Sequence, residues 1–529
     1  MTSTPSVVMT LLQTSDIHGH LYPTDYRAAG DQPLGLAKLA TLIAKERSLD
    51  PELLLLDNGD LLQGTPLMYH YAKLSSRQGR HPAGLALKLL GYDAAVLGNH
   101  EFNYGPELLN QAITDSDCPW LAANIVNEDS QLPAFGPPYR VFTHPEGIRI
   151  AVLGLTTHYI PNWESPAHIA GLEFKDALES AQSWIARIRE QEQPDALVVC
   201  YHGGFERDPL TGEPTEPLTG ENQGYAMCRE LSGIDVLLTG HQHRLLSGEV
   251  NGVAIAQPGS AGQAMAKVQL EFVPQPGGSW KLHRKSTHLL MASDAAADED
   301  FLSQFTEEER ATQAWLDQPI GSSEGDLSIP DPFTARLADH PFTEFVNRVQ
   351  LAVTGAEISC AAIFTNEARG FGEQITMRDV VSNYIYPNTL KVLRLSGRQI
   401  REALEQNARY FAREESGGGL RVSPDYLAPK PQHYNYDMWE GMDYTLDISQ
   451  PVGQRVVRLE RGGLPLTADS SFEVVMNSYR AGGGGNFDML KGATVVREIP
   501  TDMTELLADY IREHGVIRSV CNHNWQVIY

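Results

Sequence analysis

Six short apolar runs, at residues 7–13, 53–56, 94–97, 149–153, 196–200 and 236–238, punctuate the first half of the chain, and amphipathic stretches at 36–45 and 177–190 lie between them. Runs of this length rich in Val, Leu and Ile read as strands buried on both faces, and the 3.6-residue spacing between them reads as helix. Strands that alternate with helices build a parallel sheet with helical cover, so the pattern predicts a layered α/β domain. In such sheets the chemistry gathers where the strands end, at their carboxyl termini.

Five of these runs stop in a motif of carboxylate, amide or imidazole: SDIHGH at 15–20, NGDLLQG at 58–64, GNHEFNYG at 98–105, YHGG at 201–204 and GHQHR at 240–244. Taken singly, each is an ordinary piece of a fold. An Asp after a strand caps its own turn, NGD is a hairpin signal, and Asn99 is a helix N-cap. Together they bring to one sheet edge the donors that a pair of divalent cations needs. One anionic ligand bridges, while neutral imidazoles and hard oxygens complete each shell without cancelling the positive charge. Such a pair clamps phosphoryl oxygens and lowers the pKa of a water from about 15.7 toward about 7. The motifs therefore predict metal-assisted hydrolysis of a phosphate ester.

Past residue 260 strand-like segments follow at 266–272 and 280–289, then an Ala/Asp/Glu stretch at 292–300 and a charged helix at 307–317. The expected organisation is a catalytic domain over 1–292, a linker over 293–325, and a second, smaller α/β domain over 326–529, with helices at 343–353, 397–410 and 503–513. A chain of 529 residues is long for a single core.

The charge balance, 41 basic against 67 acidic residues for a net −26, repels a polymeric nucleic acid and an anionic membrane surface. A small anionic substrate remains compatible, because cations and a few arginines can reverse the field inside a cleft. Cys118, Cys200, Cys228, Cys360 and Cys521 are scattered and contain no C-x-x-C pair, which reads as free thiols. The N-terminal segment has no basic start, apolar run or small-residue cleavage site, and no run is long enough to span a membrane, so the expected address is cytoplasmic.

The ordered set D-x-H, G-D, G-N-H-E, H and G-H-x-H resembles the calcineurin-like metallophosphoesterases, and with the second domain it is similar to their 5′-nucleotidase and 2′,3′-cyclic-nucleotide phosphodiesterase branch. The resemblance implies a layered α/β/β/α metallophosphoesterase domain, with a substrate-binding domain able to rotate against it. It also implies two divalent ions, drawn from Mn²⁺, Zn²⁺, Fe²⁺ and Co²⁺. Asp16, His18, Asp60 and His243 would bind one ion, and Asp60, Asn99, His202 and His241 the other. His100 would stabilise the transition state or protonate the leaving oxygen. Typical 5′-nucleotidases resemble G-N-H-E-F-D and G-H-x-Q where this chain has Asn103 and His243, so the carboxylate that would pair with His100 is missing. Both departures point to the cyclic-phosphodiesterase/3′-nucleotidase subfamily.

For the second domain, the resemblance implies that Tyr479 in NSYRAGGGGNF and Tyr434 in HYNYD clamp the base, while Arg369 in NEARG meets the substrate. Taken without it, Tyr434, Tyr436 and Tyr479 are core residues and Arg369 a solvated loop charge. ITMRD and YPNTL strengthen the likeness without implying chemistry. The expected reaction converts 2′,3′-cyclic nucleotides to 3′-nucleotides, with a following 3′-nucleotidase step, by in-line attack of a metal-bound hydroxide. Its rivals are a 5′-nucleotidase or UDP-sugar hydrolase and, in another class, a non-catalytic nucleotide- or metal-binding protein.

Overall fold

The apolar runs form strands in the computed structural model, which describes residues 6–27, 30–75, 79–216, 218–386, 388–414, 418–428, 430–499 and 501–529. Pro387 of YPNTL and the first five residues of the N-terminal segment lie outside these. The chain divides into two units, 1–312 and 313–529, and the division falls inside the 293–325 stretch.

Two six-stranded sheets form the centre of the first unit. One runs in the order Trp280–Met291, Ala264–Pro274, Val7–Thr14, Leu54–Asp57, Ala94–Val96, Trp120–Leu121, and the other Leu245–Val250, Val253–Pro258, Val236–Thr239, Ala196–His202, Arg149–Thr156, Tyr139–Thr143. Val7–Thr14, Leu54–Asp57, Ala94–Val96 and Trp120–Leu121 are mutually parallel, as are Arg149–Thr156, Ala196–His202, Val236–Thr239 and Val253–Pro258. Their carboxyl ends therefore share an edge in each sheet.

Alternation along each strand decides the layering. Leu11, Leu56 and Val96 of one sheet share a core with Val152, Val198 and Leu238 of the other, so the two sheets pack face to face. The opposite face of the second sheet, Leu153, Leu197, Val199 and Leu237, buries Ala181, Ile185 and Ile188 from the helix Ala177–Gln191 and Met227 from Gly224–Glu230. In the first sheet Leu12, Leu55 and Ala95, one residue out of phase with the shared core, are also fully buried. Parallel crossovers of one hand place their helices on that face. The crossovers here contain Leu36–Leu49, Pro66–Lys73, Pro82–Leu90 and Pro106–Ser116. The result is an α/β/β/α stack in which each large aliphatic side chain contributes about 1.5 to 3 kcal/mol on burial.

The second unit is a smaller α/β body. Its central sheet runs Asp437–Glu440, Ile358–Ala362, Ser471–Asn477, Leu390–Ser396, Thr494–Ile499, with four-stranded and three-stranded sheets beside it. Helices Pro341–Thr354, Gly397–Ala408 and Met503–His514 bury Phe345, Val349, Ile400, Leu404, Leu507 and Ile511. Among the described residues, no helix in either unit is long and apolar enough to cross a membrane.

Candidate metal centre

Each of the five motifs leaves a parallel strand at its carboxyl end and turns sharply there. Asp16 and His18 follow Val7–Thr14, Asp60 follows Leu54–Asp57, and Asn99 and His100 follow Ala94–Val96; His202 ends Ala196–His202, and His241 and His243 follow Val236–Thr239. Asp16, His18, Asp60, His241 and His243 have φ of 54, 49, 57, 68 and 57°, in the left-handed region that non-glycine residues seldom occupy. Each such residue costs on the order of 1 to 3 kcal/mol, and such strain concentrates at functional sites. Two glycines allow the turns to meet. A Cβ on Gly98 would fall 2.3 Å from Asp60 Oδ1, and one on Gly59 2.5 Å from the main-chain nitrogen of Gly98.

The side chains converge as two triads, Asp16–His18–His243 and Asp60–His202–His241, with the ligand atoms of each lying within 4.8 Å of one another. Asp60 faces both: its Oδ2 is 3.2 Å from His202 Nε2 and 3.8 Å from His18 Nε2. Asn99 completes the second group, its Oδ1 lying 2.9 Å from His241 Nδ1.

Hydrogen bonds on the far side of each ring decide which nitrogen faces inward. His18 Nδ1 donates to the carbonyl of Gln63 at 2.9 Å and His202 Nδ1 to that of Asn58 at 2.7 Å, so both turn Nε2 to the centre. His241 Nε2 lies 2.8 Å from Glu221 Oε1, which leaves Nδ1 as its inward atom. Atoms able to ligate a cation then face one another. His18 Nε2 is 3.0 Å from His243 Nε2, His241 Nδ1 faces Asn99 Oδ1, and the fully buried His202 Nε2 has no hydrogen-bond partner. Two nitrogens about 2.1 Å from a shared cation, on adjacent vertices of its shell, stand about 3 Å apart. The donor set therefore fits cations held between these atoms.

The electrostatics agree with that fit. Burial pushes the Asp16 carboxyl up to about 7, although His202 opposes it. Burial also lowers His18 to about 3 against the pull of Asp60, which keeps its imidazole neutral and able to ligate. For His202 burial works against the charged form, yet Asp60, Asp16 and Glu101 lift it to about 10. Carboxylates crowded in a dry pocket draw positive charge.

His100 stands beside this group, its ring centroid 5.2 Å from that of His18 and its main-chain N–H donating to Asp60 Oδ1 at 2.8 Å. Its Nδ1 meets Asn103 Oδ1 at 2.6 Å, and Asn103 Nδ2 in turn donates to Glu164 Oε2 at 2.7 Å. The direct partner of this histidine is thus the amide of Asn103 in place of a carboxylate, and a carboxylate stands one hydrogen bond beyond it.

In the second unit Tyr434 and Tyr479 lie together, both half-buried, with ring centroids 6.1 Å apart and planes at 73°. They meet edge to face, so a base could lie flat between them only after one ring turned. Tyr436 is different, being fully buried and stacked on Tyr410 at 5.0 Å, and it belongs to the core. The glycine run fits closely around Tyr479, since a Cβ on Gly484 would fall 2.5 Å from its ring. Arg480, fully buried, ties the loop down through an ion pair with Asp437 at 2.5 Å. Arg369 is exposed, with Nη1 donating to the carbonyls of Asn366 at 3.2 Å and Ala368 at 3.3 Å. Its loop is propped from beneath by Arg336, fully buried, which donates to Asn366 Oδ1 at 2.8 Å and the Ile363 carbonyl at 2.8 Å.

Several supporting residues escaped the motif reading. Glu101 sits inside GNHEFNYG, and its carboxylate accepts the main-chain N–H groups of Asp60, Leu61, Leu62 and Gly98. Glu221 orients His241, Glu164 anchors Asn103, and Trp163 stacks on His241 with centroids 5.4 Å apart. Only Glu101 had a signal in the sequence, its place within a motif.

Known proteins resemble this chain in sequence and fold. Residues 9–245 match the family described as calcineurin-like phosphoesterase, and residues 319–492 match the 5′-nucleotidase C-terminal domain. The trifunctional nucleotide phosphoesterase protein YfkN of Bacillus subtilis is 26% identical over 99% of this chain, which spans 39% of that relative's length. A 2′,3′-cyclic-nucleotide 2′-phosphodiesterase/3′-nucleotidase of Salmonella typhimurium is 27% identical, over 99% of this chain and 89% of its own. A solved Staphylococcus aureus protein described as a 5′-nucleotidase, in complex with α-ketoglutarate, is 36% identical, covers 99% of this chain and 100% of its own, and superposes with a TM-score of 0.89.

Proposed function

Because the chain belongs to the calcineurin-like phosphoesterases that carry a 5′-nucleotidase C-terminal domain, we propose that it hydrolyses nucleotide phosphate esters, with 2′,3′-cyclic nucleotides opened to 3′-nucleotides and these in turn dephosphorylated. The observation that carries the reading is the pair of triads joined by Asp60, whose facing nitrogen and oxygen atoms suit cations. Asp16, His18, Asp60 and His243 would hold one divalent ion and Asp60, Asn99, His202 and His241 a second. Bound there, the pair supplies charge to clamp the phosphoryl oxygens and to acidify water.

The chain's own groups do the rest. The Nδ1 of His100 is engaged with Asn103, which leaves Nε2 to hold the proton that the departing oxygen needs. Tyr434 and Tyr479 offer apolar faces to a base, and stacking on such a face contributes about 1 to 3 kcal/mol without reading base identity. Arg369 offers a cation to the phosphate or ribose. The cyclic-nucleotide assignment is supported by Asn103 and His243, where the 5′-nucleotidase pattern has Asp and Gln, and by the activity for which the Salmonella relative is named.

A second reading, hydrolysis of 5′-nucleotides, is favoured by the 36% identity to the Staphylococcus protein described as a 5′-nucleotidase. Purified protein reconstituted with Mn²⁺ and assayed on 2′,3′-cyclic AMP, 3′-AMP, 5′-AMP and UDP-glucose separates the two. Preferred turnover of the cyclic substrate is expected. Preferred turnover of 5′-AMP would sink the subfamily assignment and leave the phosphoesterase standing.

A further inference from the structure

We propose that Glu164 is a positioning residue for His100, acting through the side-chain amide of Asn103; this rests on the reading of His100 as the proton donor to the leaving oxygen. Glu164 lies in the segment that follows the strand Arg149–Thr156, next to the short turn Ile160–Asn162, and no motif singles it out. Its side chain is only 6% exposed. Both of its oxygens are engaged. Oε1 accepts from the Ser165 main chain at 2.7 Å and faces His168 Nδ1 at 2.9 Å, while Oε2 accepts from Asn103 Nδ2 at 2.7 Å.

The direction of the chain of bonds follows from what each group can do. An ionised carboxylate only accepts, so Asn103 must turn its NH₂ toward Glu164 and its carbonyl oxygen toward His100. That oxygen only accepts as well. His100 must therefore carry a proton on Nδ1, at the 2.6 Å contact, and its Nε2 is the one atom left to pick up and release a proton toward substrate. The backbone that carries the ring is also held, because the main-chain N–H of His100 donates to Asp60 Oδ1. Without Glu164 the amide of Asn103 is free to rotate by half a turn and present NH₂ to Nδ1, which would move the proton to Nε2 in the neutral ring and release its orientation. An Asp in place of Asn103 would need no such anchor, since either of its oxygens accepts. The Asn at 103 and the carboxylate at 164 are thus two parts of one device.

The device makes a reciprocal prediction. Glu164→Ala should lower kcat for 2′,3′-cyclic AMP by roughly 10- to 100-fold, the usual cost of losing an orienting partner, with KM little changed. On bis(4-nitrophenyl) phosphate, whose leaving oxygen departs without a proton, the loss should be several-fold smaller. Asn103→Asp alone should also be slow, because it sets two carboxylates against each other. The double variant Asn103→Asp/Glu164→Gln should recover most of the activity, as the Gln amide donates to the new carboxylate, which pairs directly with His100. Equal losses on both substrates in Glu164→Ala, or no recovery in the double variant, would overturn the proposal, and a fold-wide effect would appear in the thermal midpoint measured alongside. Wild-type protein inactive on both substrates would instead remove the functional reading itself.

Discussion

Glu101 Oε2 accepts the main-chain N–H of Asp60 at 2.9 Å, so the residue that faces both triads is held in place by a carboxylate that never reaches the centre. The same carboxyl group accepts from Leu61 at 2.7 Å and Gly98 at 2.6 Å. Burial, reinforced by Asp60, raises it above the ordinary carboxylate range, and these amides oppose that rise. Glu101→Ala strands several buried N–H groups at about 1 to 3 kcal/mol each. The expected result is a loss of at least about 3 kcal/mol in urea unfolding together with reduced metal content after reconstitution. Glu101→Gln, which keeps one acceptor, should fall between. A Glu101→Ala protein with wild-type stability and full metal loading would show that the turn holds itself.

The two triads differ in what a single substitution can remove. Asp60 Oδ2 lies within 3.8 Å of His18 Nε2 in one and 3.2 Å of His202 Nε2 in the other, whereas His243 belongs to the first triad, 3.5 Å from Asp16 and 3.0 Å from His18. Asp60→Asn should therefore weaken both ions and His243→Ala one. Elemental analysis after dialysis is expected to give near-zero metal for the first and close to one ion per chain for the second. Equal retention in the two variants would mean that Asp60 does not bridge.

The fold and the convergence of the two triads are legible in the sequence for one shared reason. A buried strand must be apolar along its length and must stop where polar groups begin, so the run at 7–13 announces both the strand Val7–Thr14 and the place of Asp16 and His18. The supports of the site are not legible in that way. Glu164 is 61 residues from Asn103 and Glu221 is 20 residues from His241, and both lie in connecting segments where no period marks which side chain turns inward. Arg336 and Arg480 escape for a different reason: arginine ordinarily lies at the surface, and only the carbonyls and the carboxylate that meet these two explain their complete burial. Tyr434 and Tyr479 meet edge to face, and Gly484 packs against the Tyr479 ring, contacts that sequence spacing does not encode.

Base recognition by Tyr479 predicts a split between binding and turnover. The ring is half-buried and sits at the glycine run that Arg480 anchors. Removing one stacking face costs about 1 to 3 kcal/mol, or roughly 5- to 150-fold in affinity. Tyr479→Ala should raise KM for 2′,3′-cyclic AMP within that range while kcat changes little, and Tyr479→Phe should stay near wild type because the stacking face survives. Steady-state kinetics on the three proteins test this. Unchanged KM in Tyr479→Ala would remove the residue from the substrate site.

A buried histidine away from the metal centre sets an acid limit on the first unit. His81, 1% exposed, caps the helix Pro82–Leu90 by accepting the N–H of Ala83 on Nδ1 at 3.2 Å, a role that only a neutral ring can fill. Burial lowers its pKa from the ordinary 6.5 to about 3. Between these values the unfolded chain binds a proton that the folded chain refuses, so stability rises with pH through this window. The contribution is fully present above pH 6.5 and is lost progressively as pH falls toward 3. At pH 4.5 the loss from this group is on the order of 3 kcal/mol. His81→Asn keeps a capping acceptor and removes the titration. Urea unfolding of chelated wild-type and variant protein at pH 7 and pH 4.5 should show the wild type losing about 2 to 3 kcal/mol more than His81→Asn over that interval. Parallel losses in the two proteins would mean that His81 is not held neutral by the fold.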